Sequence, residues 1–363
     1  MTTMMDTAAS QTRQPIERSK KEPVDTKPEP TTAPEPARTD RALIDATRPF
    51  ANESRGKSWF AFLSTLALLG GAEAAAFATP HDRLGWGVRI AASVLAGLLT
   101  VRTFILYHDF LHGALLRNSP VARGIFYVYG LIIMTPPKVW RETHNYHHAN
   151  TAKLVGSHVG SYLMVTTGMW AKMSSRERVM YKLIRHPLTI ASAYFTLFML
   201  GMGISPFLRQ PKKHWTCLFG VLLNWTLTAL IIWQLGFLTF VCGMFVPLAL
   251  SMAVGGYLFY AQHNFPEAHI QPRESWSYTR AALESSSYME MGPVMRYFTG
   301  NIGYHHVHHL NPLIPFYKLP EAMAAVPELQ NPPKTSLGPG DILACFRQKL
   351  WDPDQSRMVG YPE

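Results

Sequence analysis

The sequence predicts an all-α membrane protein with four transmembrane helices in two hairpins, interfacial or re-entrant helices between them, and a cytoplasmic helical cap carrying clusters of histidine. Three observations support this. Of the 363 residues 47% are hydrophobic and only 16% charged, a lopsided balance for a soluble chain. From 215 to 262 there is no Asp, Glu, Lys or Arg. A helix rises ~1.5 Å per residue and the hydrocarbon core is ~30 Å thick, so that run is too long for one crossing and about right for two. Histidines gather where the apolar segments end.

Residues 1–45, rich in Pro, Thr, Glu and Lys without apolar periodicity, read as a disordered tail. The first dozen residues lack the apolar stretch of a cleavable signal. Residues 46–325 read as the membrane domain with its cap, and 326–363 as a C-terminal cytoplasmic tail. Ser58 to Thr79 is long enough to span. After the turn Pro80–Arg83, Leu84 to Tyr107 returns, with Arg89 and Arg102 near enough to its ends to snorkel. Gly124 to Pro137 is about half a span and ends in two prolines, so it reads as re-entrant or interfacial. Trp215 to Trp233 and Phe237 to Tyr260 form the second hairpin, turning at Gln234, Leu235 and Gly236. Pro187 to Phe207 is apolar too. An odd number of crossings between Asn150 and His263 would split the histidine clusters across the membrane, and basic residues flank this segment on both sides, so it is assigned as interfacial or re-entrant. The N-terminus, the clusters and the C-terminus are then cytoplasmic.

The net charge of +10 is local. Its basic residues concentrate between Lys138 and Arg185 and at Arg209, Lys212 and Lys213, beside apolar segments, which points to anionic lipid and away from nucleic acid. Cys217, Cys242 and Cys345 form no CxxC motif or disulfide framework and read as core.

The chemistry resides in histidine. HDFLH sets His108 and His112 four apart at the end of the second span; HNYHH holds His144, His147 and His148; GYHHVHHL holds His305, His308 and His309 with the same offsets. On a helix those offsets put three imidazoles on one face, aimed at one point, and imidazole is a general ligand for first-row metals. His263 closes the fourth span at the same depth and is favoured over His269, six residues on. Nine such nitrogens exceed one tetrahedral site and suit two ions with four or five nitrogens each. Spacing does not choose between iron, zinc and copper, but the lack of a well-placed bridging carboxylate favours redox over hydrolytic chemistry. Asp109 and Glu142 adjoin the clusters on other helix faces and are expected to fix histidine tautomers. His306 should point away, His81, His186 and His214 read as surface or interface residues, and His158 as a neighbour of the site. Arg102 is a candidate partner of Asp109 or of a lipid headgroup. Gly255 and Gly256 either make room for a substrate or allow close helix packing.

Type, order, spacing and membrane position of these clusters, over residues 58 to 325, resemble the three histidine boxes of the integral-membrane fatty acid desaturases. The first box, HxxxH, and the continuation LNPLIPFYKLPEAM are most like the acyl-lipid Δ12/ω-3 type, and FYAQHNFPEAH resembles the segment that supplies one further ligand. The resemblance implies two non-haem iron ions, O₂ as co-substrate, an external electron donor of ferredoxin or cytochrome b5 type, and a fatty acyl chain, lipid-linked, that gains a cis double bond. His108, His112, His144, His147, His148, His263, His305, His308 and His309 would be the metal ligands, with no catalytic residue beyond them. The alternatives are a related di-iron hydroxylase or ketolase acting on a lipid, and a membrane metal transporter. A transporter would place its ligands near the midplane on broken helices, whereas these clusters follow helix ends.

Overall fold

The computed structural model describes Arg38 and residues 40–78, 83–154 and 159–362. His81, His158, the turn at 80–82 and most of the predicted tail lie outside the described residues. Among the described residues, four helices are long and apolar enough to cross a membrane: Arg55–Ala78, Gly85–His112, Pro211–Leu235 and Phe237–Ala261. They match the four predicted spans. Gly236, at φ +87, makes the second hairpin turn in a conformation that side chains with a Cβ rarely adopt. The second helix is the central one, packed on the first and the fourth. At Gly97 an added Cβ would come within 2.8 Å of Leu250 Cδ2, so a glycine there lets the second and fourth helices approach closely.

Pro120–Ile132 is a short apolar helix capped by the Ser119 hydroxyl. The segment after Pro187 does not form one spanning helix. It is a helix at Pro187–Ala191, a wider π-type coil at Tyr194–Ile204 and another short helix at Ser205–Arg209. It is held inside the bundle by Tyr194, whose hydroxyl donates to Asn224 Oδ1 at 2.7 Å.

The arginines of the second helix do not snorkel. Arg89 is buried and donates to Thr239 Oγ1 and to the Phe77 carbonyl, both at 3.3 Å. Arg102 is buried too, and its partners among the described residues do not include Asp109. Its Nε donates to Thr65 Oγ1 at 3.0 Å, a terminal nitrogen donates to the Tyr297 carbonyl, and the guanidinium lies 4.0 Å from the Tyr297 ring centroid. A buried guanidinium is costly unless its donors are used. Here it joins the first two spans to the cap.

Short helices and loops make the cap, with two small sheets in which Tyr288–Glu290 pairs in parallel with Lys334–Ser336, and Leu350–Asp352 antiparallel with Arg357–Val359. Two segments outside the bundle, one on each side of it in sequence, are ordered by contacts with the cap. Asp40–Thr47 is a helix that buries Leu43, and Arg38 forms an ion pair with Glu328 at 2.9 Å. At the other end Tyr181 donates to the Lys349 carbonyl at 2.6 Å, and Lys349 Nζ to the carbonyl of fully buried Arg185 at 3.0 Å. The three cysteines are buried and unpaired.

Candidate metal centre and acyl cavity

Three elements and one loop bring the histidines together. The second span ends in HDFLH; Pro137–Asn150, started by two prolines, carries HNYHH; His305–Leu310 carries the last cluster; and His263 follows the fourth span. All nine predicted ligands meet, but in two groups. His108, His112, His144, His148 and His308 form the first, and His147, His263, His305 and His309 the second, the ligand atoms of each lying within 4.8 Å of one another. The expectation that each three-histidine face aims at one point is thereby corrected. His144 and His148, four apart, turn to the first group while His147 turns to the second; His305 and His309 turn to the second while His308 turns to the first. Positions i+3 and i+4 stand ~100° apart around a helix, wide enough to serve two centres.

The spacing within the groups fits metal ions. Nε2 of His144 lies 3.1 Å from Nε2 of His108 and 3.1 Å from that of His148, and His148 and His308 are also 3.1 Å apart. In the second group His263 lies 3.0 Å from His147 and 2.9 Å from His305. Two nitrogens each ~2.1 Å from one ion and at right angles lie ~3.0 Å apart, so these are separations of neighbouring donors on a first-row metal. Nε2 of His112 and of His309 is buried with no protein partner, an arrangement that a bound cation satisfies. Among the described residues both groups consist of histidine alone. Burial first, then neighbouring imidazoles, hold His144, His147, His148, His305, His308 and His309 well below the ordinary histidine range. Burial pushes His263 down to about 4. At neutral pH these rings are uncharged and keep a lone pair for a metal.

The surrounding residues set tautomers. Nδ1 of His108 is 3.0 Å from Asp109 Oδ1, and Asp109 Oδ2 accepts the Phe316 N–H at 2.7 Å, as expected of Asp109. Glu142 does not play that part: it pairs with Lys213 at 2.8 Å and lies 4.0 Å from His214, away from both groups. His214, read as a surface or interface residue, is buried at a kink near the start of the third span, facing Glu142. His186 is exposed and caps the helix that follows it. His306 points away, its Nε2 3.1 Å from the Leu329 carbonyl, and His269 packs on Trp351 outside both groups. The sequence reading missed three supports. Nδ1 of His263 faces the Ser285 carbonyl at 3.0 Å; Thr151 Oγ1 lies 3.3 Å from His309 Nδ1 and donates to the His147 carbonyl at 2.7 Å; Trp140 stacks on His144 at 4.2 Å. Thr151 had a legible signal, since a threonine four residues after His147 is placed to bond its carbonyl.

An apolar cavity of about 720 Å³ runs along the site. His108, His144 and His305 lie in its wall, so it touches both groups. Its deep end is formed by buried Thr100, Ser251 and Met252, and its other end by exposed Glu142, Arg209 and Gln210. Thr100 is eight residues before His108, which puts the deep end ~12 Å further into the membrane than the histidine. The two glycines divide the roles left open. Gly255 lines the cavity, with nothing within 4 Å of an added Cβ, whereas a Cβ added at Gly256 would lie 3.1 Å from Ala193 Cβ.

Fold and site define a class: an all-α integral membrane protein with twin polyhistidine groups beside an apolar cavity. Residues 84–337 match the family described as fatty acid desaturase. A fatty acid desaturase of Bacillus subtilis is 30% identical over 284 residues, covering 75% of this chain and 77% of that protein. An sn-1 acyl-lipid omega-3 desaturase (ferredoxin) of Synechocystis is 24% identical over 64% of this chain and 66% of its own, and an sn-1 oleoyl-lipid 12-desaturase of Picosynechococcus 21% over 74% and 76%. The chain belongs to the fatty acid desaturase family. It is an oxidoreductase that desaturates fatty acyl chains, and the family's chemistry is iron-dependent.

Proposed function

We propose that the protein uses O₂ to introduce a cis double bond into a lipid-linked acyl chain, with two iron ions held by its nine histidines on the cytoplasmic side of the membrane. The observation that carries this reading is the cavity: a single apolar space touches His108 and His144 of one group and His305 of the other. An acyl chain lying in it would run past both groups with its methyl end toward Thr100, Ser251 and Met252 and its carrier toward Arg209 and Gln210. Bound iron supplies the O₂-dependent oxidation that an unactivated C–H bond requires. The protein's own contribution is to hold the irons with neutral imidazoles, to fix their orientation through Asp109, Thr151 and Ser285, and to keep one stretch of chain beside them. The names of the cyanobacterial relatives, which specify acyl-lipid substrates and, in one case, ferredoxin, support a lipid carrier and an external electron donor of ferredoxin or cytochrome b5 type.

Expression in a host whose lipids are saturated and monounsaturated, followed by mass spectrometry of the acyl methyl esters, tests this. New double bonds are expected, and a hydroxy or oxo product would assign the site to a hydroxylase or ketolase instead. A reporter fused after Leu208 tests the orientation, since the reading puts that loop in the cytoplasm.

A further inference from the structure

We propose that electrons enter at Trp276, delivered to the second histidine group by an acidic iron–sulfur carrier protein docked on the surface around that ring. The inference rests on the desaturase reading. Forming one double bond removes two hydrogens from the acyl chain, and reducing O₂ to two waters takes those two hydrogens together with two further electrons and two protons. The electrons arrive singly from outside and need a way through a buried shell of histidines.

Trp276 is half-buried, and its indole N–H donates to the Thr151 carbonyl at 2.8 Å. The same Thr151 lies 3.3 Å through its hydroxyl from His309 Nδ1 and donates to the His147 carbonyl at 2.7 Å. One residue thus separates a partly exposed aromatic ring from two members of one group. Electron transfer weakens steeply with distance and passes better through bonds and hydrogen bonds than through gaps, which makes this a short bridge. The first group's comparable contact, from His108 through Asp109 to the Phe316 N–H, ends on buried residues.

The docking partner follows from charge. Lys153 Nζ lies 4.2 Å from the Trp276 ring centroid and donates to Asn150 Oδ1 at 2.9 Å, and Arg273 is exposed three residues before the ring. Among the described acids nearby, Glu284 is tied to Arg280 at 3.1 Å, Asp40 is held by the Ser277 and Thr279 hydroxyls, and Glu274 is exposed. Lys153 and Arg273 beside the ring suit an acidic face on the donor.

The experiment uses the full chain in nanodiscs, loaded with iron, and compares Trp276→Leu and the pair Lys153→Glu with Arg273→Glu against the unaltered protein. Iron per chain, binding of a [2Fe–2S] ferredoxin, reoxidation of that ferredoxin by stopped flow, and a single turnover driven by dithionite are measured separately. Trp276→Leu should keep its iron and its dithionite turnover while ferredoxin reoxidation slows several-fold. The charge reversals should weaken ferredoxin binding by about tenfold at low salt, and less at high salt. Ferredoxin reoxidation at the unaltered rate overturns the proposal. So does an equal fall in dithionite turnover, which would make Trp276 a packing support for Thr151, and so does ferredoxin binding indifferent to the charge reversals. Failure of the desaturase reading shows elsewhere, as an unaltered protein that takes up no iron or forms no double bond with dithionite; ferredoxin binding still decides the docking face.

Discussion

Asp109→Asn separates the two metal groups by a change of one heavy atom. When ionised, the buried carboxylate only accepts, from the His108 Nδ1–H on one oxygen at 3.0 Å and from the Phe316 N–H on the other at 2.7 Å. Asparagine has one oxygen for these two donors. If it faces Phe316, its amide N–H₂ meets His108 Nδ1 and favours the tautomer protonated at Nε2, the nitrogen that lies 3.1 Å from His144 Nε2 in the first group. If it faces His108, a buried backbone N–H is left opposite another donor, at a cost of ~1–3 kcal/mol. Loss of such a partner typically weakens metal affinity ~10–100-fold, which is about 1.4–2.7 kcal/mol. The second group has no contact with Asp109 and should bind as before. Iron per chain after graded chelator challenge is the assay: the variant should release one ion well ahead of the other, while the unaltered protein holds both. Equal release of both ions, or none, would refute the tautomer argument.

Three further outcomes follow from the same geometry. His308→Ala and His309→Ala are neighbours in sequence but should empty different groups, the first removing an ion from His108, His112, His144 and His148 and the second from His147, His263 and His305, with turnover lost in both; metal content and spectra distinguish them. Gly255→Leu should fold normally and reduce product from the longest acyl chains first, because its side chain enters the cavity, whereas Gly256→Leu, which meets Ala193 at 3.1 Å, should destabilise the bundle by about 1–3 kcal/mol on thermal unfolding in detergent. Metal-free protein should lose stability as pH falls from about 6.5 toward 4. Burial depresses His263 to about 4, so in that window the unfolded chain binds the proton that the folded one refuses, and stability is fully present only above 6.5. Melting temperature against pH checks this, and a flat profile would contradict it.

The four spans were legible because an uncharged run and its flanking charges report membrane thickness directly. Six of the nine histidines were legible because the spacing of HNYHH repeats in HHVHH, and His108, His112 and His263 because they stand where the second and fourth spans end. What the spacing did not reveal was the division of labour: one offset pattern serves equally for three rings on one ion or for rings shared between two, and only the positions of neighbouring helices decide. Arg89 and Arg102 misled for a similar reason, since an arginine near a helix end can reach water or a protein carbonyl, and the partners Phe77 and Tyr297 come from other segments. Glu142 sits next to a histidine cluster in sequence but lies beside Lys213, which no local pattern announces. Trp276 carries no signal at all until Thr151 is seen beneath it.

The sharing of each box between two groups also fixes an order of birth. As the chain leaves the ribosome, the first group has four of its five nitrogens by residue 148, after only two spans. The second has His147 alone until the last hairpin is inserted and His263, His305 and His309 follow. A half-made protein therefore offers metal one partial nest and not two. The second nest is filled out only when the final box docks, and the same step brings His305 into the wall of the cavity.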